Sequence, residues 1–303
     1  MSDFSEKLIT LLGEENLCTD EPLSAHTSFQ VGGPADYWVS PENAEQLAGV
    51  MALCREESTP WYVFGRGSNV LVSDEGFRGV AISLKKGFSS CRAEGNLVYA
   101  GAGAGLGAVA ATALQHGLSG FEFAAGIPGS MGGAMVMNAG AYGGELKDVL
   151  TGATVLTPEG ELLSLTGEEM ELGYRTSCIQ KKGYIGLEAR ISLEPGNPEE
   201  IRARMDELAD RRKSKQPLEF PSAGSTFKRP SGYFAGKLIE EAGLRGFRVG
   251  GAQVSEKHCG FVINRDHATA SEILELCRQV QNRVKEHSGV ELELEVRLLG
   301  FGQ

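Results

Sequence analysis

The chain has 303 residues, of which 41% are hydrophobic and 23% charged, and its formal net charge is −11. That length accommodates two or three domains of an ordinary globular protein, and the acidic balance argues against nucleic acid or an anionic membrane as the main partner. Glycine is the outlier: 41 residues, nearly double the average share of about 7%.

The opening MSDFSEKLIT has no basic stretch followed by a long apolar run, so no signal peptide is expected and a cytoplasmic location is. The six cysteines and five histidines show no metal-ligand spacing, and the cysteines read as reduced, mostly buried thiols. Residues 3–12 suit a short helix, and 20–30 read as irregular. Val31-Gly32-Gly33-Pro34 marks a turn before a strand at Tyr37 to Val39. Ser40-Pro41-Glu42 has the pattern of a helix start, Ser at the N-cap and Pro at the first helical position. The helix runs to about Glu57, with Leu47, Val50, Met51 and Cys54 on one face. Strands at Trp61 to Phe64, Val70 to Ser73 and Val80 to Leu84 complete a βαββ unit. The loop between the first two is Gly65-Arg66-Gly67-Ser68-Asn69.

A strand at Leu97 to Gly101 and a helix at Leu106 to Gln115 flank a glycine run. Read from Gly103, that run fits the loose dinucleotide pattern G-x-G-x-x-A. A Rossmann unit also needs an acidic residue about 20 positions on, ending a second strand. Glu122 is near that distance but sits beside another Gly-rich loop, so the run reads as a helix entry. A phosphate-binding Walker loop is excluded at Gly236-Lys237, because Leu238 supplies no hydroxyl.

The densest signal is Phe121 to Gly144, FEFAAGIPGSMGGAMVMNAGAYGG. No charged residue lies between Phe123 and Gly144, and seven glycines fall between Gly126 and Gly144. Glycine at that density serves a backbone that turns sharply or lies against a flat or anionic ligand. Ile127-Pro128-Gly129 reads as a turn. Ser130-Met131-Gly132-Gly133 opens a short helix whose free N–H groups would suit a phosphate. A tight glycine-packed core loop is the alternative. A membrane span is not, since Pro128, Asn138 and the glycines interrupt any 18-residue apolar run.

Beyond this loop, 153–157 and 161–164 flank Pro158-Glu159-Gly160 as a hairpin. Residues 166–172 suit a short helix, and Tyr184 to Leu193 a strand. Pro195-Gly196-Asn197-Pro198 marks a domain boundary. A helix from about Glu199 to Lys215, a loop at 220–229, a helix near 235–242 and a strand at 261–264 follow. Thr269 to Glu272 is a capping box for a helix to about His287. The last strand, 290–299, alternates: Leu292, Leu294, Val296 and Leu298 on one face, Glu291, Glu293, Glu295 and Arg297 on the other. From Arg211 to Arg229 six basic residues face Glu219 alone. That local excess suits an anion-binding pocket.

Five strings occur in order: GRGSN at 65–69, AGIPGSMGGAMVMNAGAYG in the central loop, Tyr174-Arg175-Thr176-Ser177, Ala223-Gly224-Ser225-Thr226-Phe227-Lys228, and Glu295-Val296-Arg297. The first two resemble the flavin-binding loops of the vanillyl-alcohol-oxidase-type FAD fold. All five together resemble the UDP-N-acetylenolpyruvoylglucosamine reductase family, over about Thr27 to Gly300. The resemblance implies an α+β chain: a two-subdomain FAD-binding module at 1–84 and 85–197, then a smaller α/β substrate-binding domain at 198–303. It implies an NADPH-dependent flavoenzyme that reduces the enolpyruvyl ether of a UDP-sugar to UDP-N-acetylmuramate, for peptidoglycan synthesis. Arg175 would polarise the substrate carboxylate, Ser225 would protonate the enolate, and Glu295 would complete the site. Whether Glu295 acts protonated or by pairing with Arg175 stays open.

The same resemblance assigns FAD, held non-covalently, to Gly65, Arg66, Gly67, Ser68, Asn69, Gly126, Ile127, Pro128, Gly129, Ser130, Gly132, Gly133, Asn138, Gly140 and Ala141. The main-chain N–H groups of 65–69 and 129–133 would hold the pyrophosphate. Tyr174, Arg212, Lys215, Lys228 and Arg229 would bind the substrate. Arg212 to Pro217 matches the family's R-x-x-K-x-P. Arg229 departs from the branch that has Asn there, and no insertion with a clamping Tyr is present, so the shorter branch fits. NADPH would reduce the flavin at the same site, and no metal is implied. A monomer is the default expectation. Two other readings stand beside this one: a flavin oxidase or dehydrogenase acting on an alcohol or hydroxy acid, and a nucleotide-binding protein without turnover.

Overall fold

The computed structural model describes residues 3–302. They pack as two compact units, one from 3–19, 37–66 and 79–211, the other from 20–36, 67–78 and 212–302. Each has its own apolar core.

The first unit is built on a five-stranded antiparallel sheet in the order Leu162–Thr166, Leu150–Leu156, Ile185–Ser192, Leu97–Gly101, Cys91–Glu94. The central strand buries one face: Ile185, Leu187, Ala189 and Ile191 alternate into the core, while Glu188, Arg190 and Ser192 on the other face are partly or fully exposed. The helix Leu106–Gln115 lays Val109, Ala110 and Ala113 into the core. The short helix Met131–Met137 packs on the central strand so closely that a Cβ on Gly186 would stand 2.7 Å from the Met135 methyl. Trp61–Phe64 runs parallel to Phe77–Ser83, with Trp61 opposite Val80.

The second unit sets the helix Ala270–Ser288 against a three-stranded antiparallel sheet, Arg248–Val249, Ala252–Val254 and Val262–Asn264. The capping box at Thr269 and Glu272 forms as expected, and Gly289 ends the helix in the left-handed conformation (φ 72°). Asp74 adds to the cap: its carboxylate accepts from the N–H groups of Ala270 and Ser271 and from the Ser271 hydroxyl at 2.7–2.8 Å. A parallel pair, Val70–Val72 with Arg297–Leu299, completes this unit.

Several expected elements fall elsewhere. The first long helix spans Ala44–Glu56 and is capped by Asn43, not Ser40. The Asn43 side chain accepts from the Gln46 N–H, while the Gln46 side chain accepts from the Glu42 N–H, a reciprocal arrangement that Ser40 is too far upstream to make. Residues 166–172 make one turn, not a helix, because Thr166 still belongs to the strand and bonds Glu169. The supposedly irregular 20–30 begins in the strand Leu17–Pro22 and continues into a 3₁₀ turn at Leu23–His26. The last strand is only Arg297–Leu299, and Leu298 is 43% exposed instead of sharing the buried face of Leu292 and Val296. The alternation ends where the pairing partner changes.

Burial pushes the Cys54 and Cys277 thiols up to about 12, whereas Cys18 is exposed. In native protein at pH 8, iodoacetamide should label Cys18 first and leave Cys54 and Cys277 unmodified until denaturant is added. Mass spectrometry of the labelled peptides checks this; early labelling of Cys277 would show that the second core opens.

Candidate active site

In the first unit the glycine loops meet. Gly105, the N-cap of the helix Leu106–Gln115, faces Ser130 across a single antiparallel bridge. Leu106 donates to the Gly129 carbonyl, and Met131 and Gly132 donate to the carbonyls of Ala104 and Ala102. The Ser130 hydroxyl caps the short helix by accepting from Gly133. A Cβ on Gly65 would lie 2.5 Å from that hydroxyl, and one on Gly105 would crowd the Arg66 guanidinium at 3.3 Å. So glycine at 65 is needed for the loops to close on Ser130.

This corrects one expectation about the phosphate donors. The N–H groups of Gly129, Met131, Gly132 and Gly133 have protein acceptors, so of 129–133 the buried Ser130 N–H is the one with no main-chain acceptor among the described residues. Among the described residues, no main-chain carbonyl accepts from the N–H groups of Gly65, Arg66, Gly67, Ser68 or Asn69. Gly67 is buried and left-handed (φ 58°). Successive donors around a left-handed residue form an anion nest, and a buried N–H without a partner costs about 1–3 kcal/mol. The donor set of 65–69 therefore fits a pyrophosphate, and 129–133 contributes the Ser130 N–H and mainly shape.

Asn138 ends the short helix in the left-handed conformation and is 2% exposed. Its side chain donates to Glu145 (2.8 Å) and accepts from the Lys147 N–H (2.9 Å). It organises the neighbouring Gly140–Ala141 hairpin, whose two turn residues, Tyr142 and Gly143, both have positive φ. The Lys147 ammonium bonded to Glu145 holds that carboxyl below the usual range, and the Arg175 charge acts in the same direction. Tyr174 and Arg175 are the centre of a tight turn closed by bonds between Gly173 and Thr176 of 3.1 and 3.3 Å. Arg175 is left-handed (φ 56°), a conformation that costs a non-glycine residue about 1–2 kcal/mol. An arginine kept there is an outlier of the kind that marks functional sites.

In the second unit two distant strings become neighbours. Lys228 donates its N–H to Glu293 (2.8 Å), Phe227 bridges Leu294, and Glu295 donates to the Thr226 carbonyl (2.9 Å). Ser225, which is exposed, thus sits one residue from the partner of Glu295. Thr226 is 1% exposed and fully engaged: its N–H donates to Gly260, and its hydroxyl accepts from the Val262 N–H at 2.9 Å. Sequence reasoning passed over Thr226, whose neighbours Ser225 and Phe227 give no sign that its hydroxyl is engaged. The Asn69 side chain donates to the Glu295 carbonyl at 3.1 Å, and Arg297 donates to the Asn69 carbonyl at 3.0 Å.

Of the cations, Lys228 pairs with Glu293 at 2.9 Å on the surface, and Lys215 is exposed at the end of the helix Pro198–Lys215, one turn after Arg212. Arg229 donates to the Tyr233 carbonyl and lies 4.0 Å over the Phe234 ring.

Residues 216–299 match the C-terminal domain of UDP-N-acetylenolpyruvoylglucosamine reductase, and residues 35–166 match an FAD binding domain. A UDP-N-acetylenolpyruvoylglucosamine reductase from Lachnoclostridium phytofermentans is 55% identical over 300 residues, 97% of this chain and 96% of that protein. The crystal structure of the Thermus caldophilus enzyme of the same name superposes with a TM-score of 0.80 at 37% identity, over 93% of this chain and 98% of that one. A 4-ethylphenol oxidase from Gulosibacter chungangensis, 13% identical with a TM-score of 0.50, covers 96% of this chain and 64% of its own, and shares the fold.

Thr226→Val keeps shape but removes the acceptor of the Val262 N–H. It should destabilise the protein by about 1–3 kcal/mol in urea unfolding; an unchanged midpoint would show that the hydroxyl is dispensable.

Proposed function

The chain belongs to the UDP-N-acetylenolpyruvoylglucosamine reductase family, and on that premise we propose that Arg175, Ser225 and Glu295 are its catalytic residues. The enzyme reduces the enolpyruvyl ether of a UDP-sugar to UDP-N-acetylmuramate, with FAD as cofactor and NADPH as reductant, in peptidoglycan precursor synthesis. Reduced FAD supplies a hydride to the terminal methylene carbon of the enolpyruvyl group.

The chain's own residues must then manage charge and a proton. The electron pair moves toward the substrate carboxylate, which becomes enolate-like, and the adjacent carbon needs a proton. Arg175 is suited to the carboxylate: its guanidinium is permanently charged and can fork onto two oxygens. Its held, left-handed backbone limits how far the head group wanders. Ser225 is suited to protonating the carbon, since it is exposed beside a rigid neighbour, Thr226. A serine hydroxyl is a weak acid, so a charged setting is required; Lys228 and Arg229 lie three and four residues on. The pairing of 226–228 with 293–295 is the observation that carries this reading, because it gives Ser225 and Glu295 a fixed mutual register.

Gly65 to Asn69 are the residues suited to the FAD pyrophosphate, with Gly126, Ile127, Pro128 and Gly140–Ala141 as the glycine-rich wall. Arg212, Lys215, Lys228 and Arg229 are suited to the substrate diphosphate, and Tyr174, 54% exposed, to its sugar side. By this ligand-based division, 1–84 and 85–197 serve the cofactor and 198–303 the substrate. NADPH and nucleotide sugars are made in the cytoplasm, so the reading places the enzyme there.

Anaerobic stopped-flow absorbance tests the assignment. NADPH should bleach the flavin, and the enolpyruvyl sugar nucleotide should restore the oxidised band. In Ser225→Ala the bleaching should survive and the restoration fall by about 10²-fold or more. Rapid reoxidation by oxygen, with none by the sugar nucleotide, would favour an oxidase. Arg175→Gly should separate fold from function. Relief of the left-handed strain and the entropy of an added glycine oppose each other, so stability should change by no more than about 1 kcal/mol. Turnover should fall by about 10²-fold. A collapse in thermal stability would mark Arg175 as structural.

A further inference from the structure

The pentapeptide Gly65 to Asn69 ends in a side chain that does not behave as its neighbours do. The Asn69 carbonyl accepts from the Arg297 N–H, the first rung of the parallel ladder in which Val70 to Val72 face Arg297 to Leu299. Its side-chain amide reaches past that rung, two residues back along the partner chain, and donates to the Glu295 carbonyl at 3.1 Å. The N–H of Glu295 is held from the other side by the Thr226 carbonyl at 2.9 Å. Both peptide groups flanking the Glu295 Cα are therefore fixed. The segment 290–296 forms no regular strand beyond its short pairing with 226–228, so few main-chain bonds hold this residue. The bond from Asn69 and the bond to Thr226 both act on its main chain.

We propose that Asn69 is a positioning residue for Glu295, its amide fixing the direction in which the glutamate side chain leaves the main chain. This rests on the reading of Glu295 as catalytic. The consequence is a division of labour within one loop. The main-chain donors of 65–69 face an anion, while the last side chain of the same loop sets the acid–base half of the site. Substituting Asn69 then harms the step in which substrate is protonated and spares flavin binding and flavin reduction. A plain flavin ligand behaves in the opposite way.

Asn69→Asp, which keeps volume but turns a donor toward Glu295 into an acceptor, and Asn69→Ala, which deletes the reach, are compared with wild type as FAD-loaded proteins. Flavin content, from the 450 nm to 280 nm absorbance ratio, and the rate of bleaching by NADPH should stay within about twofold. Single-turnover reoxidation by the enolpyruvyl sugar nucleotide should slow by about 10- to 100-fold, the cost of a misplaced group. In a Glu295→Gln background the Asn69 substitutions should slow reoxidation no further, because the residue acts through Glu295. Loss of flavin with normal reoxidation of the loaded fraction would make Asn69 a cofactor residue and overturn the proposal. So would slowing that adds in full to that of Glu295→Gln. Failure of the wild type itself to be reoxidised by the sugar nucleotide would instead sink the reaction assigned above, and the proposal with it.

Discussion

The candidate chemistry of the second unit depends on one antiparallel contact, three residues long, between 226–228 and 293–295. Neither segment is a strand of a sheet. Short extended pieces of this kind are marginal alone, since each rung must offset the entropy of fixing its residues. Thr226 is what holds them. Its buried side chain and both of its peptide groups bond to Gly260, Val262 and Glu295, so the contact is tied back to the sheet under the long C-terminal helix. Rigid anchorage next to a freely exposed hydroxyl is a sensible way to present Ser225. The fold supplies precision one residue away from the proposed proton donor, and leaves that hydroxyl accessible.

A similar logic governs the first unit, with glycine in place of threonine. There the loops must come nearer than side chains permit. Gly65 sits where a Cβ would strike the Ser130 hydroxyl, and Gly132 where one would crowd Ala102 at 3.1 Å. All of the N–H groups of 129–133 except that of Ser130 bond within the protein, which makes that loop a stiff wall. Arg175 and Asn138 are the costly members of this assembly. Both are non-glycine residues in the left-handed region, and both belong to the cluster around Glu145. Asn138 is compensated by the bonds of its own amide. Arg175 carries its conformation in an exposed turn, which is harder to justify on stability alone.

Much of this could be seen in the sequence, and the reasons differ from element to element. The Thr269–Glu272 capping box and the Ser130 cap were legible because capping is local chemistry, settled within four residues. The central strand 185–192 was legible because apolar Ile185, Leu187, Ala189 and Ile191 alternate with polar Glu188, Arg190 and Ser192, a period-two pattern. Asn43 was misread as Ser40 because both residues can cap, and only the reach of Gln46 decides between them. The last strand was misread for a longer-range reason. Period-two alternation holds only while one partner face persists, and here residues 292–295 answer to 226–228 whereas 297–299 answer to 70–72. The backbone conformation of Arg175 and the engagement of Thr226 depend on tertiary contacts and leave no trace in composition. The family resemblance located Ser225 and Glu295, yet only the contact map explains why those two strings have to travel together.

The acidic net charge poses a last question, since every ligand in the reading is an anion. The charges resolve it by being local. Lys228 and Arg229 follow Ser225 by three and four residues, and the carboxylate that pairs with Lys228, Glu293, lies on the surface, 73% exposed. An exposed pair such as Lys228–Glu293 is worth about 0–1 kcal/mol, because water and salt screen it and two long side chains must be ordered to make it. A diphosphate offers Lys228 more charge and more acceptors than one carboxylate does. The pair is therefore no obstacle to a nucleotide. A diphosphate at the proposed site would displace it at little cost, while the acidic remainder of the surface disfavours polyanions elsewhere.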